Sequence, residues 1–298
     1  MGERAEAGRS KVVMPKYSLD AFDKRFPDED SCKQYIAEMR WPNGIRCPRC
    51  SNDRVYTLRH KAWHWQCRNC QKNGYRFSIL SRTIFENTKY PLKVWFKVAY
   101  LVLSSKKGMS ALQIYRMMAP SIGSDYRTFW YMCHRLRAAM QNMEWDELIG
   151  DVEVDETYVG GKDKNRHWNK RTHKTCGEAS GKVPVIGAIS RKGNVVCQAI
   201  QNTKRETLQK FVKETVSSKV TLLATDEHLP YGKLDDEYPH EVIQHKDNVY
   251  VRGNIHTNSI ESFWALLKRG VIGTFHNISA EYLPLYLAAF TFRHNFRQ

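Results

Sequence analysis

Traced by its apolar and polar positions, the chain changes period near its middle. Over 91–140 apolar residues return every three or four places. Leu92, Trp95, Phe96, Ala99, Tyr100 and Leu103 form one helical stripe, and Pro91 suits its first turn. Gly108 and the stretch "APSIGSD" divide this region into three helices. Beyond residue 150 short strands and helices alternate: "DVEVDETYV", "VPVIGAIS", "NVVCQAI", a helix over 206–216, "KVTLLAT", a short strand near "EVIQH", and a helix from Ser259. Nearer the N-terminus a helical pattern over 32–39 ends at Pro42. These shifts predict a disordered basic leader over 1–16, a helical segment over 17–43, a cysteine-bearing module over 44–80, a helical region over 88–142, and an α/β domain over 148–298.

The first strand of that last domain holds four acids within six residues, in a valine frame. Strand alternation puts Asp151, Glu153 and Asp155 on one face and Val152, Val154 and Glu156 on the other. Asp155 lies furthest along, so Asp151 and Glu153 are expected in supporting or solvated roles. Glu156 is expected to pair with a basic neighbour on the far side. Two further acids follow: Asp226 closes an apolar strand, and Glu261 sits in the first turn of the helix opened by "HTNSIESFWALLKRG". Acids at strand ends and helix starts are individually routine. Their order, however, is that of an RNase H-like α/β fold, with a mixed five-stranded sheet in which the first and fourth strands are adjacent. Asp155 and Asp226 then meet, and a helix packed across them brings Glu261 to the same point. Crowded carboxylates raise one another's pKa, and divalent cations offset the repulsion. Two such ions about 3.5–4 Å apart clamp the entering and leaving oxygens of an in-line phosphoryl displacement.

Composition changes the picture in one respect. A net charge of +16 on 298 residues favours a polyanionic partner, nucleic acid first, although ribosomal and membrane-surface proteins share that balance. With 42% hydrophobic and 12% aromatic residues the chain is globular, which excludes a disordered polyelectrolyte. The most apolar run, "VWFKVAYLVLSS", is broken by Lys97 and too short to span a bilayer, and the first dozen residues lack a signal peptide's apolar core. A cytoplasmic, nucleoid-associated location is expected, or the nucleus in a eukaryotic host, with no membrane partner.

In a reducing compartment eight cysteines need a reason other than disulfides. Cys47, Cys50, Cys67 and Cys70 have one, in "CPRC" and "CRNC": two knuckles that can set four thiolates around one structural Zn²⁺ at about 2.3 Å, a zinc ribbon. His60 and His64 lie between the knuckles and are expected at the surface or facing DNA. Arg54, Arg59, Lys61, Arg68, Trp63 and Trp65 fit a DNA contact surface, and the tryptophans equally fit a cover for the ribbon's small core. The helical middle reads as helix-turn-helix-like, with Ser110 capping one helix and Ser124 or Asp125 the next. Tyr126, Arg127 and Thr128 would then reach base edges, with Arg135 and Arg137 further along.

The segments "RWPNGIRCPRC", "VEVDETYVGGK", "TDEHLPY", "HTNSIESFWALLKRGVIGTFH" and "FRHN" run from about residue 20 to the end. In them the chain resembles the DDE transposases of bacterial insertion sequences that carry an N-terminal zinc ribbon, the ISXO-like group, related to the Merlin transposases. The resemblance implies Asp155, Asp226 and Glu261 as catalytic acids and ligands of two Mg²⁺ (or Mn²⁺) ions; the 34 residues between Asp226 and Glu261 match a spacing common in the wider class. It implies Lys268, two helical turns beyond Glu261, as a contact to the transposon-end phosphate, and Arg269 and Lys162 are further DNA-facing candidates. Some related transposases use asparagine as the third ligand, so Asn258 is the rival to Glu261. "YLAAF" departs from the family pattern in lacking an acidic residue. The implied partners are transposon terminal inverted repeats and target DNA, bound by a homodimer or larger assembly that pairs two ends. A transposase-derived regulator without chemistry and an RNase H-like nuclease or resolvase are the alternatives.

Overall fold

Odd and even positions of the strand that begins at Asp151 face different helices, and this division organises the second half of the chain. The computed structural model describes residues 18–70, 74–143, 145–161, 165, 167–171, 181–191, 193–226, 237–243 and 256–296. Its contacts separate two units. One takes the chain up to Val102 with Ser124–Leu136, the other Leu103–Gly123 with Arg137 onward.

In the first unit, α1 (Leu19–Arg25) and α2 (Glu29–Arg40) start at side-chain caps. Ser18 accepts from the Ala21 N–H, and Asp28 shares a reciprocal box with Ser31. Phe22, Phe26 and Cys32 pack with Leu92 of α3 (Leu92–Ser104), edged by Tyr35, Phe96 and Tyr100. Between α2 and α3 lies an antiparallel sheet, β1 (Val55–Thr57), β2 (His64–Cys67) and β3 (Tyr75–Ser78), with Trp65 opposite Phe77. These strands are too short to stand on burial alone, which makes the cysteine cluster their natural staple.

α4 (Ala111–Ile122) opens on a Ser110–Gln113 capping box and closes at Gly123, whose left-handed φ of 65° suits glycine. Two residues on, α5 (Tyr126–Gln141) starts under Asp125, which accepts from the Thr128 N–H at 2.9 Å and so takes the cap that Ser124 also offered.

In the second unit, β4 (Asp151–Val159), β5 (Val183–Ser190), β6 (Val195–Ala199), β7 (Leu222–Asp226) and β8 (His240–Ile243) form one sheet in the order β6-β5-β4-β7-β8. β4, β5 and β6 are antiparallel neighbours, while β7 runs parallel to β4 and β8 to β7. The first and fourth strands of the domain are therefore adjacent at the sheet centre, in the mixed RNase H-like arrangement. Val152, Val154, Ile186 and Ala188 bury against Leu208, Phe211 and Val212 of α6 (Arg205–Thr215). The opposite face, with Val159, Val185 and Ile189, takes Ile260, Phe263, Trp264 and Leu267 of α7 (Asn258–Gly270) and Leu287 and Phe290 of α8 (Leu283–Asn295). Covered on both faces, β5 reads as one continuous apolar run. Each fully buried Leu, Ile or Phe here contributes about 1.5–3 kcal/mol over exposure.

Two contacts fix α8. A Cβ on Gly270 would fall 2.4 Å from the Phe290 ring, so only glycine lets α7 and α8 approach this closely. Asn295, the last residue of "FRHN", accepts from the Val195 N–H at 2.8 Å and donates to the Val195 carbonyl at 2.9 Å, closing the edge of β6 as a further strand would. Arg137 is not on an open basic face as its helical position suggested. It is 2% exposed and lies 4.1 Å from the centre of the Tyr286 ring, a cation held against an aromatic face. Among the described residues no helix is long and apolar enough to cross a membrane.

Candidate active site

β4 and β7 are joined by three parallel rungs, Asp151–Leu222, Val152–Leu223 and Glu153–Ala224. Asp155 and Asp226 each lie two residues beyond the last rung, one on either strand. A step of two keeps a side chain on the same face, so both carboxylates emerge together on the α7 side. Asp155, Glu156 and Asp226 each offer an oxygen within 4.8 Å of the others. Burial first, then the charge of Asp226, pushes the Asp155 carboxyl up to about 6; Glu261 adds to the rise, and hydrogen bonds from the Glu156 backbone and the Trp264 indole oppose it. A divalent cation at this point would offset the repulsion between the two carboxylates.

Glu156, expected on the far face of β4 by alternation, nonetheless brings its carboxylate to this cluster. It lies past the last rung between β4 and β7, at Glu153–Ala224. Glu261 stands outside this three-acid cluster, on the exposed side of the first turn of α7, where its Oε1 accepts from the Thr257 hydroxyl at 2.9 Å. Asn258 is exposed at the first position of the same helix, and Lys268 and Arg269 are exposed in its last turn. Lys162 lies outside the described residues.

Trp264 and Gly187 carried no signal in the sequence, while Glu153 takes up the supporting role expected for it. Trp264 donates its indole N–H to Asp155 Oδ2 at 3.1 Å. Gly187, paired with Asp155 across the sheet, leaves room for that indole, because a Cβ there would meet the ring at 2.6 Å. Glu153 is fully buried and accepts hydrogen bonds from the start of α7. Only the shared parity of Glu153 and Asp155 hinted at this in the sequence.

The cysteine cluster fits a tetrahedral ion. Sulfurs about 2.3 Å from a common centre stand roughly 3.8 Å apart. Cys47 and Cys70 Sγ are 3.4 Å apart, Cys50 and Cys67 Sγ 3.7 Å, and all four lie within 4.8 Å as free thiols. The Asn52 backbone N–H, then the Cys70 thiol, holds Cys50 down to about 7. Burial pushes the Cys67 thiol up, and Cys50 does the same to Cys70. The histidines stay out of the cluster: His64 Nδ1 bonds the Ala62 carbonyl at 2.8 Å, and His60 is exposed.

The two roles open to the tryptophans resolve toward the ribbon's own packing. Trp65 is 5% exposed and stacks on Phe77, and Trp63 donates to Asp30 at 3.0 Å. Arg59, Lys61 and Arg68 are exposed, the last with its guanidinium over Tyr56, and Tyr126 and Arg127 are exposed at the start of α5. Thr128 is half-buried in the Asp125 cap, and Arg135 donates to the Glu86 carbonyl at 2.9 Å and to Tyr131, so both are tied into their own unit.

With the geometry in place, similarity to known proteins adds a lineage. Residues 147–295 match the family model of the ISXO2-like transposase domain, and residues 27–73 that of the transposase zinc-ribbon domain. The first implies divalent-metal binding and the second zinc. The chain is 26% identical over 286 residues to an uncharacterized protein in transposable element ISH50 of Halobacterium salinarum (strain ATCC 700922 / JCM 11081 / NRC-1), across 91% of this chain and 92% of that one. It also overlaps a chain in the cryo-EM structure of the simian T-cell lymphotropic virus intasome in complex with PP2A regulatory subunit B56 gamma. That match has 11% identity and a TM-score of 0.26, over 61% of this chain and 65% of the other. A TM-score that low carries no weight for fold or function.

Proposed function

Because the chain belongs to the ISXO2-like transposases, we propose that it binds the terminal inverted repeats of a mobile element and catalyses metal-dependent DNA cleavage followed by strand transfer. The observation that carries this reading is the placement of Asp155 and Asp226, each two residues past the last β4–β7 rung, with their oxygens and that of Glu156 within 4.8 Å.

In this reading Asp155 and Asp226 hold divalent cations from the sheet, and Glu261 closes the site from α7. Two Mg²⁺ (or Mn²⁺) ions, when bound, supply Lewis acidity to the nucleophile and the leaving oxygen. Trp264 orients Asp155 by donating to its Oδ2. Lys268 and Arg269, exposed in the last turn of α7, bind backbone phosphates near the scissile bond. First, a water oxygen displaces the 3′-oxygen at the element's end, breaking the P–O3′ bond. The freed 3′-hydroxyl then displaces the 3′-oxygen of a target phosphate, so one bond forms for each that breaks. Arg59, Lys61 and Arg68 of the ribbon, with Tyr126 and Arg127 of α5, contact the inverted repeats. Phosphate contacts of this kind make affinity steeply salt-dependent. One Zn²⁺ on Cys47, Cys50, Cys67 and Cys70 holds the ribbon together. Two element ends brought into one reaction call for a dimer or larger assembly on DNA.

The test incubates the full chain with Mg²⁺ or Mn²⁺ and duplexes bearing the ends of its own element, with products resolved on denaturing gels. Nicking at the end followed by joining is expected. Nicking without joining would make the protein a nuclease, and intact DNA a regulator.

A further inference from the structure

Glu153 is 0% exposed and lies two positions before Asp155 on the same face of β4, at the last rung shared with β7. A carboxylate buried this fully persists only when its oxygens are matched by donors. Oε2 accepts from the backbone N–H of Ser259 at 2.8 Å and of Ile260 at 3.1 Å. Oε1 accepts from the Ser259 hydroxyl at 2.9 Å and from Arg191 Nε at 2.9 Å. His256 Nδ1 lies 3.2 Å from the same oxygen, off the line of a hydrogen bond. Arg191 reaches further, donating to the His256 carbonyl at 3.0 Å and approaching Asp151 to 3.6 Å.

The two backbone donors are among those a helix leaves unmatched at its start, where the helix dipole also favours an anion. A residue at the cap position normally satisfies them. Here Thr257 occupies that position and makes no side-chain cap; its hydroxyl goes to Glu261 Oε1 at 2.9 Å instead. The strand supplies the cap, and the helix's own cap residue is released to hold Glu261.

The geometry points to Glu153 as a positioning residue for the metal site, an inference that rests on the transposase reading above. It fastens the start of α7 to the strand that carries Asp155, and so fixes where Glu261 stands relative to Asp155 and Asp226. Replacing buried ion pairs by apolar residues of similar volume is often neutral or stabilising in proteins, so stability alone is a weak account of it. A bolt between strand and helix needs directed bonds to two successive N–H groups.

Glu153→Gln, in the full chain, is the test. The amide keeps the size but replaces one acceptor oxygen with a donor facing Arg191 or the Ser259 hydroxyl. Mn²⁺ binding is read by the electron paramagnetic resonance of free Mn²⁺, and cleavage of element-end DNA is followed against Mn²⁺ concentration. The half-saturating Mn²⁺ should rise roughly 10–100-fold, the range for groups that orient metal ligands. Affinity for the DNA ends should stay unchanged, and excess Mn²⁺ should restore part of the turnover. Ser259→Ala, which removes one hydrogen bond and leaves both backbone donors, should shift the half-saturation a few-fold in the same direction, and serves if Glu153→Gln does not fold. A wild-type half-saturation in either folded variant would overturn the inference. If Asp155→Asn bound Mn²⁺ as the wild type does, the metal-site reading itself would fail. Loss of binding in Asp155→Asn with wild-type behaviour in Glu153→Gln would sink only the role of Glu153.

Discussion

The indole N–H of Trp264 reaches Asp155 Oδ2 at 3.1 Å across a gap that exists because Gly187, the partner of Asp155 in β5, has no side chain. Helix, strand and neighbouring strand thus converge on one carboxylate. Trp264→Phe keeps the ring and removes the donor. A hydrogen bond to the charged form favours it, so its loss should move the acid limb of the pH–rate profile to higher pH. Gly187→Ala should act the same way by displacing the indole, and lower stability by about 1–3 kcal/mol through overpacking. An unmoved acid limb in both variants would mean the bond does not act on Asp155.

Asp155 also predicts how stability follows pH. Its folded pKa of about 6 lies above the ordinary carboxylate value of 3.8, because burial and Asp226 disfavour the charge. The folded state therefore binds the proton more tightly than the unfolded one, and stability in EDTA should fall as pH rises from about 4 through 6. Asp155→Asn should be the more stable protein above pH 6, by on the order of 1–3 kcal/mol. Thermal melts at pH 5 and pH 8 in EDTA check this, and millimolar Mg²⁺ should narrow the difference at pH 8.

The third position can be assigned by comparing three variants. Glu261→Ala is expected to lower strand transfer at least 10²-fold, and Asn258→Ala to leave it within a few-fold. Glu156→Ala should fall between them, because its carboxylate joins Asp155 and Asp226 without lying on α7. Full activity in Glu261→Ala would pass the role to Asn258 or Glu156.

Zinc should be stoichiometric and local. The full chain is expected to release one Zn²⁺ per chain when its thiols are titrated with a mercurial. Trp41 and Trp65, which meet edge to face in the ribbon, should then change fluorescence. Far-ultraviolet dichroism from the second unit should persist, since its core contains none of the four cysteines. A chain with no zinc, or one that unfolds throughout on its loss, would contradict this.

Asn295→Ala should destabilise the second unit by about 2–4 kcal/mol, because the N–H and carbonyl of Val195 would both lose their partner in a buried place. A denaturant midpoint equal to the wild type's would refute that estimate.

Much of the sheet was legible in the sequence because its signals are local. Valine alternation marked β4, and the apolar run of "VPVIGAIS" marked a strand covered on both faces. The meeting of Asp155 with Asp226 follows from the adjacency of the first and fourth strands of the domain. What stayed hidden depends on partners distant in the chain. Parity cannot separate Asp151 from Glu153; only the arrival of Ser259 and Ile260, over a hundred residues later, makes one a buried cap. Arg137 looked like a basic surface position until Tyr286 covered it. Glu156 belongs to the far face by alternation, yet its carboxylate lies within 4.8 Å of those of Asp155 and Asp226, a closeness that a periodic pattern does not encode.

The fastening of α7 by Glu153 also bears on how the acids are spaced. Asp226 lies on a strand held between β4 and β8, and α7 is fastened to β4 through Glu153, so the placement of both acids refers to one central strand. The separation of Asp226 and Glu261 in space is thus set through β4 and not by the number of residues between them. Loss of the buried glutamate would remove that common reference for α7, and Glu261 would no longer be registered to the strand that carries Asp155.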